Sequence, residues 1–119
     1  MGWGCLSKIQ KGVFILDVEK LYSLMRDYEL DAVVVASPEN VFYCTGAYIM
    51  TQKTLRDRLA YAVFPAGGDP VFIVCSIELS LARDQSWISD IRPYTEFKDS
   101  PTRLLVDVIR ELGLATKRI

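Results

Sequence analysis

The chain has 119 residues, half of them hydrophobic, which is enough for one ordinary hydrophobic core and too few for two. Its 14 basic and 15 acidic residues are mixed along the chain and leave a net charge of −1, so the sequence carries no electrostatic sign of a nucleic-acid partner. The longest apolar run falls far short of the ~20 residues that a membrane span requires, and MGWGCLSK at the start lacks the pattern of a secretory signal, which together predict a cytoplasmic protein with no membrane partner.

The first predicted helix begins near Asp17. Residues 1–16 show no hydrophobic period and are predicted to form an amino-terminal arm, so that the domain itself occupies residues 17–119. From Asp17 to about Glu29, apolar residues recur every three or four positions, which is typical of an amphipathic helix. The next apolar run, residues 32–36, is short and rich in β-branched side chains, and it predicts a strand buried on both faces.

The stretch SPENVFYCTG, residues 37–46, predicts one short helix. Ser37 can cap its start, Pro38 can occupy the first helical position without losing a hydrogen bond, and Gly46 can end it. Residues 47–58, AYIMTQKTLRDR, show no convincing period and predict a loop. Loops of this length are uncommon inside compact domains and are often functional.

Residues 59–64 and 71–75 are two strand-like runs separated by PAGGDP, which predicts an antiparallel hairpin with a longer loop. We expect Ser76 to cap a helix that runs to about Gln85. Residues 88–94 predict a weaker strand, and Pro93 should confine it to a sheet edge or a bulge.

The last helix has the clearest signals, because Ser100 can cap it, Pro101 can open it and Gly113 can end it around a continuous apolar stripe. Residues 115–119 look like the approach to another strand, and we therefore expect a longer protein to continue past Ile119. Helices that alternate with strands, one pair of which forms a hairpin, predict a single α/β domain with a mixed β-sheet flanked by helices in three layers.

The chemistry that the sequence allows is limited by the absence of histidine. Without imidazole, Ser-His and Cys-His catalysis and most zinc sites are excluded. The cysteines Cys5, Cys44 and Cys75 have no CxxC spacing, and we expect reduced thiols in a reducing compartment. Cys44 follows Tyr43 without any possible imidazole partner, so it is a poor candidate for a nucleophile.

Carboxylates near the predicted strand ends offer an alternative site. Asp31, Asp69, Glu78 and Asp90 could in principle supply a two-metal nuclease of the ribonuclease H type. None falls inside a strand on the same face as another. Caps, turn residues and solvated charges are the favoured interpretation, because such residues bond locally to the backbone in turns.

The 47–58 loop carries the more interesting group, Tyr48, Lys53, Arg56 and Arg58. An arginine on a loop beside a strand can bind a carboxylate through two parallel hydrogen bonds. A solvated turn with surface arginines is the competing interpretation.

Three stretches of the chain follow one another in a distinctive order and spacing. They are LDAVVVASPENVFYCTGAY (30–48), RLAYAVFPAGGDPVFIV (58–74) and SWISDIRPYTEFKDSPTRLLVDVIRELGLATKRI (86–119). Together they resemble the N-terminal domain of the creatinase, prolidase and aminopeptidase P family, the pita-bread metallopeptidases. The likeness covers about residues 17–119, and it implies a creatinase N-terminal-domain-like fold with a ribonuclease H-like motif.

The resemblance also implies which domain of the parent protein holds the catalytic site. In that family two aspartates, a histidine and two glutamates bind a pair of divalent ions, of the Mn, Co or Zn type, in a separate C-terminal domain. No position of this chain matches that set, so we expect no cofactor here and no catalysis by this fragment alone. The parent is expected to be an Xaa-Pro aminopeptidase or dipeptidase, or a creatinase-like hydrolase, acting on a peptide or small-molecule substrate.

By the same resemblance, the domain is expected to help build a homodimer and to close over the active site of the second subunit, besides adjoining its own C-terminal catalytic domain. Arg58 occupies a place where members of the family often have an arginine, and it could reach a substrate carboxylate in trans, with Tyr48 nearby. The alternative is a free-standing α/β binding or scaffold module without a catalytic partner.

Overall fold

The computed structural model describes residues 18–49 and 59–119. In chain order the elements are α1 (Val18–Asp27), β1 (Ala32–Val35), α2 (Pro38–Thr45), β2 (Tyr61–Pro65), β3 (Val71–Cys75), a 3₁₀ turn (Ser76–Glu78), α3 (Leu79–Gln85), β4 (Asp90–Tyr94) and α4 (Pro101–Glu111). The predicted arm, residues 1–16, and most of the predicted loop lie outside the described residues. Within the described ranges, none of the helices has the length and apolar character needed to cross a membrane.

The strands form one mixed sheet in the order β1-β2-β3-β4. β2 and β3 form the predicted antiparallel hairpin, and β3 and β4 run parallel. The sequence predicts only one antiparallel pair, whereas the structure has a second, β1 with β2. The reason is that the chain enters β2 beside the end of β1, with Ala62 opposite Val35, so the two strands run in opposite directions.

Helices cover both faces of the sheet, which confirms the predicted three layers. On one face, α1, α2 and α3 pack against a core that includes Phe64, Phe72 and Val74. On the other face, α4 is the one helix of the described chain that packs against Val63 and Ile73. The residues that α4 contributes to this core are Leu104, Leu105, Val108, Ile109 and Leu112, which are the apolar stripe seen in the sequence.

Two of the three predicted serine caps are confirmed. Ser37 Oγ accepts the Asn40 N–H, and Ser100 Oγ accepts the Arg103 N–H, each at 3.2 Å. The predicted cap at Ser76 is wrong. Ser76 begins the 3₁₀ turn, the residue before α3 is Glu78, and neither start has a side-chain cap.

β4 is an edge strand, as the proline within it predicts. Pro93 lies opposite Val74 and has no N–H to leave unpaired at the sheet edge. On the same strand, Arg92 forms two hydrogen bonds of 3.1 Å with Asp90 and one ion pair of 2.5 Å with Glu111 at the end of α4. The ion pair with Glu111 joins the edge strand to the helix that covers it.

The other edge strand, β1, has few partners along its outer side among residues 18–49 and 59–119. The backbone N–H and C=O groups of Val33 and Val35 point toward β2. Those of Ala32 and Val34 therefore point away from the sheet. Residues 115–119 do not form the predicted strand, but the Arg118 carbonyl accepts the N–H groups of Asp31 at 2.7 Å and Ala32 at 3.3 Å. The end of the described chain therefore lies against the start of this edge.

Helices α1 and α4 end in the same way with different residues. After α4, Gly113 has φ 72°, the Leu114 N–H donates to Ile109, and the Gly113 N–H donates to Arg110. After α1, Glu29 takes the left-handed position at φ 54°, with equivalent bonds from its own N–H to Arg26 and from Leu30 to Met25. Both are Schellman ends. The glycine was predictable, and the glutamate was not.

We predict that Glu29→Gly stabilises the domain by about 1 kcal/mol, because glycine removes the cost of a left-handed backbone at a side chain that is exposed. The matched change Gly113→Ala should destabilise it by about the same amount. Urea unfolding of the two variants and the parent chain measures both effects. Equal midpoints for Glu29→Gly and the parent chain would show that the Glu29 backbone stores no such cost.

Candidate functional site

The segment from α2 to Tyr48 is held by a buried hydroxyl. Thr45 is fully buried, its Oγ1 donates to the Val41 carbonyl at 2.6 Å, and the same oxygen accepts the Ala47 N–H at 3.2 Å. Gly46 between them takes the left-handed conformation, φ 83°, and its N–H donates to Phe42. The Thr-Gly pair therefore both ends the helix and sets the direction in which the following chain leaves it.

Trp87 ties this helix end to the segment that leads into β4. Its Nε1 donates to the Cys44 carbonyl at 2.8 Å and its backbone N–H donates to the Thr45 carbonyl at 3.3 Å. The ring is buried near Phe64, with centroids 6.1 Å apart. Trp87 is therefore a core residue whose indole N–H has a hydrogen-bond partner.

Thr45→Val should destabilise the domain by about 1–3 kcal/mol, because the Ala47 amide loses its acceptor in a buried place while the side-chain volume is nearly kept. Thr45→Ser keeps the hydroxyl and serves as the control. Thermal or urea unfolding measures the difference. If valine and serine had the same effect, the hydroxyl would not be what holds this turn.

Tyr48 is half-exposed and held from two sides. Its N–H donates to Gln85 Oε1 at 3.1 Å, and its ring meets Phe42 edge to face, with centroids 5.6 Å apart. Gln85 ends α3, so Tyr48 lies toward the end of the sheet where β4 begins. The polar contact by Gln85 has no signal in the sequence, because it joins positions 37 residues apart.

Arg58 lies outside the described residues, and its role stays a prediction. The residue after it, Leu59, accepts a hydrogen bond from the Tyr94 hydroxyl through its carbonyl, at 2.6 Å. Tyr94 ends β4, so Leu59 lies at the opposite end of the sheet from Tyr48. With five residues in β4, the two ends are roughly 15 Å apart. The described chain does not bring Tyr48 next to the residue that follows Arg58.

The carboxylates considered as metal ligands are dispersed. The Asp90 carboxylate accepts hydrogen bonds from Arg92, and these bonds raise the pKa of the Arg92 guanidinium. Asp31 Oδ2 accepts the Arg118 N–H at 3.0 Å. Asp31 and Asp90 adjoin opposite edges of the sheet, with two strands between them. Across residues 18–49 and 59–119, no three His, Cys, Asp or Glu side chains form a group that could hold a metal ion. The structure gives the nuclease interpretation no support.

Cys44 and Cys75 are free and buried. Burial raises the pKa of the Cys44 thiol, which therefore stays protonated at neutral pH. Its surroundings are those of a packed core residue, as the sequence suggests.

With this geometry in view, the family can be identified. The model of the Creatinase/Prolidase N-terminal domain matches residues 18–119. The chain belongs to this family. The search of curated proteins found no match to the chain.

Solved structures share the fold of this Creatinase/Prolidase N-terminal domain at low identity. A proline dipeptidase from Streptococcus pneumoniae aligns with a TM-score of 0.65 at 18% identity, over 77% of this chain and 64% of that one. The N-terminal domain of an Xaa-Pro dipeptidase from Lactobacillus brevis gives 0.65 at 15%, over 82% and 69%. A dipeptidase from Pyrococcus horikoshii gives 0.67 at 21%, over 83% of this chain and only 26% of that protein. The present chain thus spans less than two thirds of the first relative and about a quarter of the third.

The Creatinase/Prolidase N-terminal domain also has a surface that the sequence did not reveal, at the end of the sheet where β3 and β4 finish. Ile77 follows β3 and Phe97 follows β4, and both side chains are largely exposed. Beside Phe97, an open cavity of about 420 Å³ is lined by Leu59, Tyr94 and Pro101 among other residues. The sequence signal that could have indicated this exposed side chain is a single phenylalanine between two charged residues, Glu96 and Lys98.

Proposed function

We propose that this chain is the non-catalytic N-terminal domain of a metal-dependent Xaa-Pro peptidase or a creatinase-like hydrolase. The family match over residues 18–119 carries the proposal. The coverage supports it, because the chain aligns with only about a quarter of the Pyrococcus horikoshii dipeptidase, which is a much longer chain.

In the proposed assembly the domain helps to form a homodimer and closes the active site of the second subunit. The two divalent ions belong to the C-terminal catalytic domain, and we assign no residue of this chain to them. The start of the β1 edge, where the Arg118 carbonyl accepts two N–H groups, is where the chain would lead on toward that domain. The free, buried thiols of Cys44 and Cys75 favour a reducing compartment such as the cytoplasm.

Arg58 is the residue proposed to meet the substrate. The Tyr94 hydroxyl holds the Leu59 carbonyl, so the backbone next to Arg58 starts from an anchored position. A guanidinium there can bind a substrate carboxylate bidentately across the subunit boundary. Tyr48, with its ring oriented by Phe42, is the second residue of this loop that we propose as a substrate contact, although it lies at the opposite end of the sheet from Leu59.

The first step is to read the gene beyond the codon for Ile119. We expect a continuation of about two hundred residues, the size of a second domain, that carries two aspartates, a histidine and two glutamates in that order. A stop codon directly after Ile119 would contradict the proposal and favour a free-standing module.

In the full-length protein, Arg58→Met should lower kcat/KM for an Xaa-Pro dipeptide about 10- to 100-fold, which corresponds to the loss of a charged hydrogen-bonded contact. Arg58→Lys should recover part of it, since lysine keeps the charge and loses the planar fork. Arg56→Met removes the same charge two positions away and is the matched control. Steady-state kinetics measure all three. Equal losses for Arg56→Met and Arg58→Met would remove the specific role of Arg58.

A further inference from the structure

Helix α1 carries exposed apolar side chains beside its buried ones. Leu21 packs partly against the core, whereas Leu24 is 44% exposed and Tyr28, one residue past the helix, is 67% exposed. The Tyr28 N–H donates to the Leu24 carbonyl at 3.0 Å, so Tyr28 continues the helical turn and follows Leu24 along the same side. Apolar residues spaced by three and then four positions are the pattern by which a helix packs against another segment. We name these three residues the α1 stripe.

The core of the described domain uses little of the α1 stripe beyond Leu21. Neither hydrophobic cluster of residues 18–49 and 59–119 includes Leu24 or Tyr28. The surrounding segment is acidic, because residues 18–31 contain four acidic and two basic side chains, a net charge of −2. The two residues that flank Tyr28 are exposed acids, Asp27 and Glu29. An occupant of this surface should therefore be apolar and positively charged.

The amino-terminal arm, residues 1–16, has this composition. More than half of its residues are hydrophobic, among them Trp3, Leu6 and Ile9, and its charged side chains are two lysines, Lys8 and Lys11. The family match begins at residue 18, so the arm precedes the Creatinase/Prolidase N-terminal domain. Apolar side chains gain free energy when another surface removes them from water, and the two positive charges complement the net charge of residues 18–31.

The arm can reach the α1 stripe within one molecule. It is joined to α1 through Asp17 alone, and Tyr28 lies roughly 15 Å along the helix axis from Val18. About five extended residues span that distance, and the arm has 16. Because the tether is short, the arm meets the stripe at a high effective concentration that does not depend on the amount of protein.

We propose that the amino-terminal arm folds back along α1 and covers the α1 stripe, with its apolar side chains on Leu24 and Tyr28. The lysines of the arm then lie near the acids that flank Tyr28. The contact adds a cover to the family domain, and it is independent of the peptidase activity proposed above. While the arm is in place it hides an apolar flank of α1, and its removal exposes a surface for association with other proteins.

Val106 supplies a matched control. Its side chain is apolar and 39% exposed, close to the value for Leu24, and it belongs to α4. This helix packs on the opposite face of the sheet from α1, so the proposed contact does not include Val106.

The test measures thiol accessibility in the full-length protein. Tyr28→Cys and Val106→Cys are made separately in a Cys5→Ser background, each in the complete chain and in a chain that lacks residues 2–16. Maleimide labelling at the introduced thiol is followed by mass spectrometry, which separates it from the buried Cys44 and Cys75. We expect removal of the arm to speed labelling of Tyr28→Cys roughly tenfold and to leave that of Val106→Cys within about twofold, because Tyr28→Cys is the thiol that loses a cover.

A second variant keeps the arm and removes its apolar contacts. In the complete chain, Leu6→Ser combined with Ile9→Ser should speed labelling of Tyr28→Cys toward the rate measured without the arm, because the side chains that hold the arm on the stripe are lost. An unchanged rate in this variant would contradict an apolar contact between the arm and α1.

The remaining outcomes are equally decisive. Equal labelling of Tyr28→Cys with and without the arm overturns the inference, since two slow rates mean a different occupant and two fast rates mean a bare surface. Equal acceleration of Tyr28→Cys and Val106→Cys also overturns it, because truncation then loosens the whole domain. Protection that is lost on dilution shows an arm supplied by a second molecule and contradicts the contact within one chain. Acceleration confined to Tyr28→Cys and unchanged by dilution supports the inference.

Discussion

The need to cover β3 on both faces organises this domain. All five residues of β3 are apolar and buried, and the strand lies between β2 and β4. A strand of that kind is stable only with a hydrophobic layer above and below it. α2 and α3 on one side and α4 on the other meet this requirement, and the parallel pairing of β3 with β4 follows because α3 connects them as a crossover. Because helices cover both faces, the exposed connecting segments lie at the two ends of the sheet.

The two ends of the sheet differ in the side chains that they expose. At the end where β4 begins, Trp87 and Thr45 fill the space below α2 and leave Tyr48 supported on its surface. At the end where β4 finishes, Leu59 and the loop that carries Phe97 line an open cavity. The long predicted loop joins these two ends. The two proposed site residues, Tyr48 and Arg58, both belong to this segment, so a site built on them need not be local in the fold.

Local signals in the sequence predicted most of the helices and strands, because they rest on short-range chemistry. Ser37 and Ser100 bond three residues along the chain, and Gly113 takes a conformation that favours glycine. The failures have equally physical causes. Glu29 ends a helix in a left-handed conformation with no residue-type signal, and the direction of β1 relative to β2 depends on where the chain re-enters the sheet.

The candidate site was less predictable than the fold. The family resemblance pointed to Arg58 and Tyr48, but the bonds that position the chain near them, from Gln85 and Tyr94, join residues 37 and 35 positions apart. No spacing rule reports such contacts. The exposure of Phe97 is a property of the folded surface, and hydrophobicity alone would place a phenylalanine inside.

The unpaired backbone groups on the outer side of β1 affect how the domain associates with other chains. Beyond the contact with Arg118, the Val34 amide and carbonyl face outward without a partner among the described residues, on a strand made only of alanine and valine. Neither a charge nor a proline within this strand opposes the addition of a foreign strand. When this edge is exposed, a strand from another molecule can pair with it. Val34→Lys would oppose such pairing, and it would equally oppose any strand that normally adds at this edge.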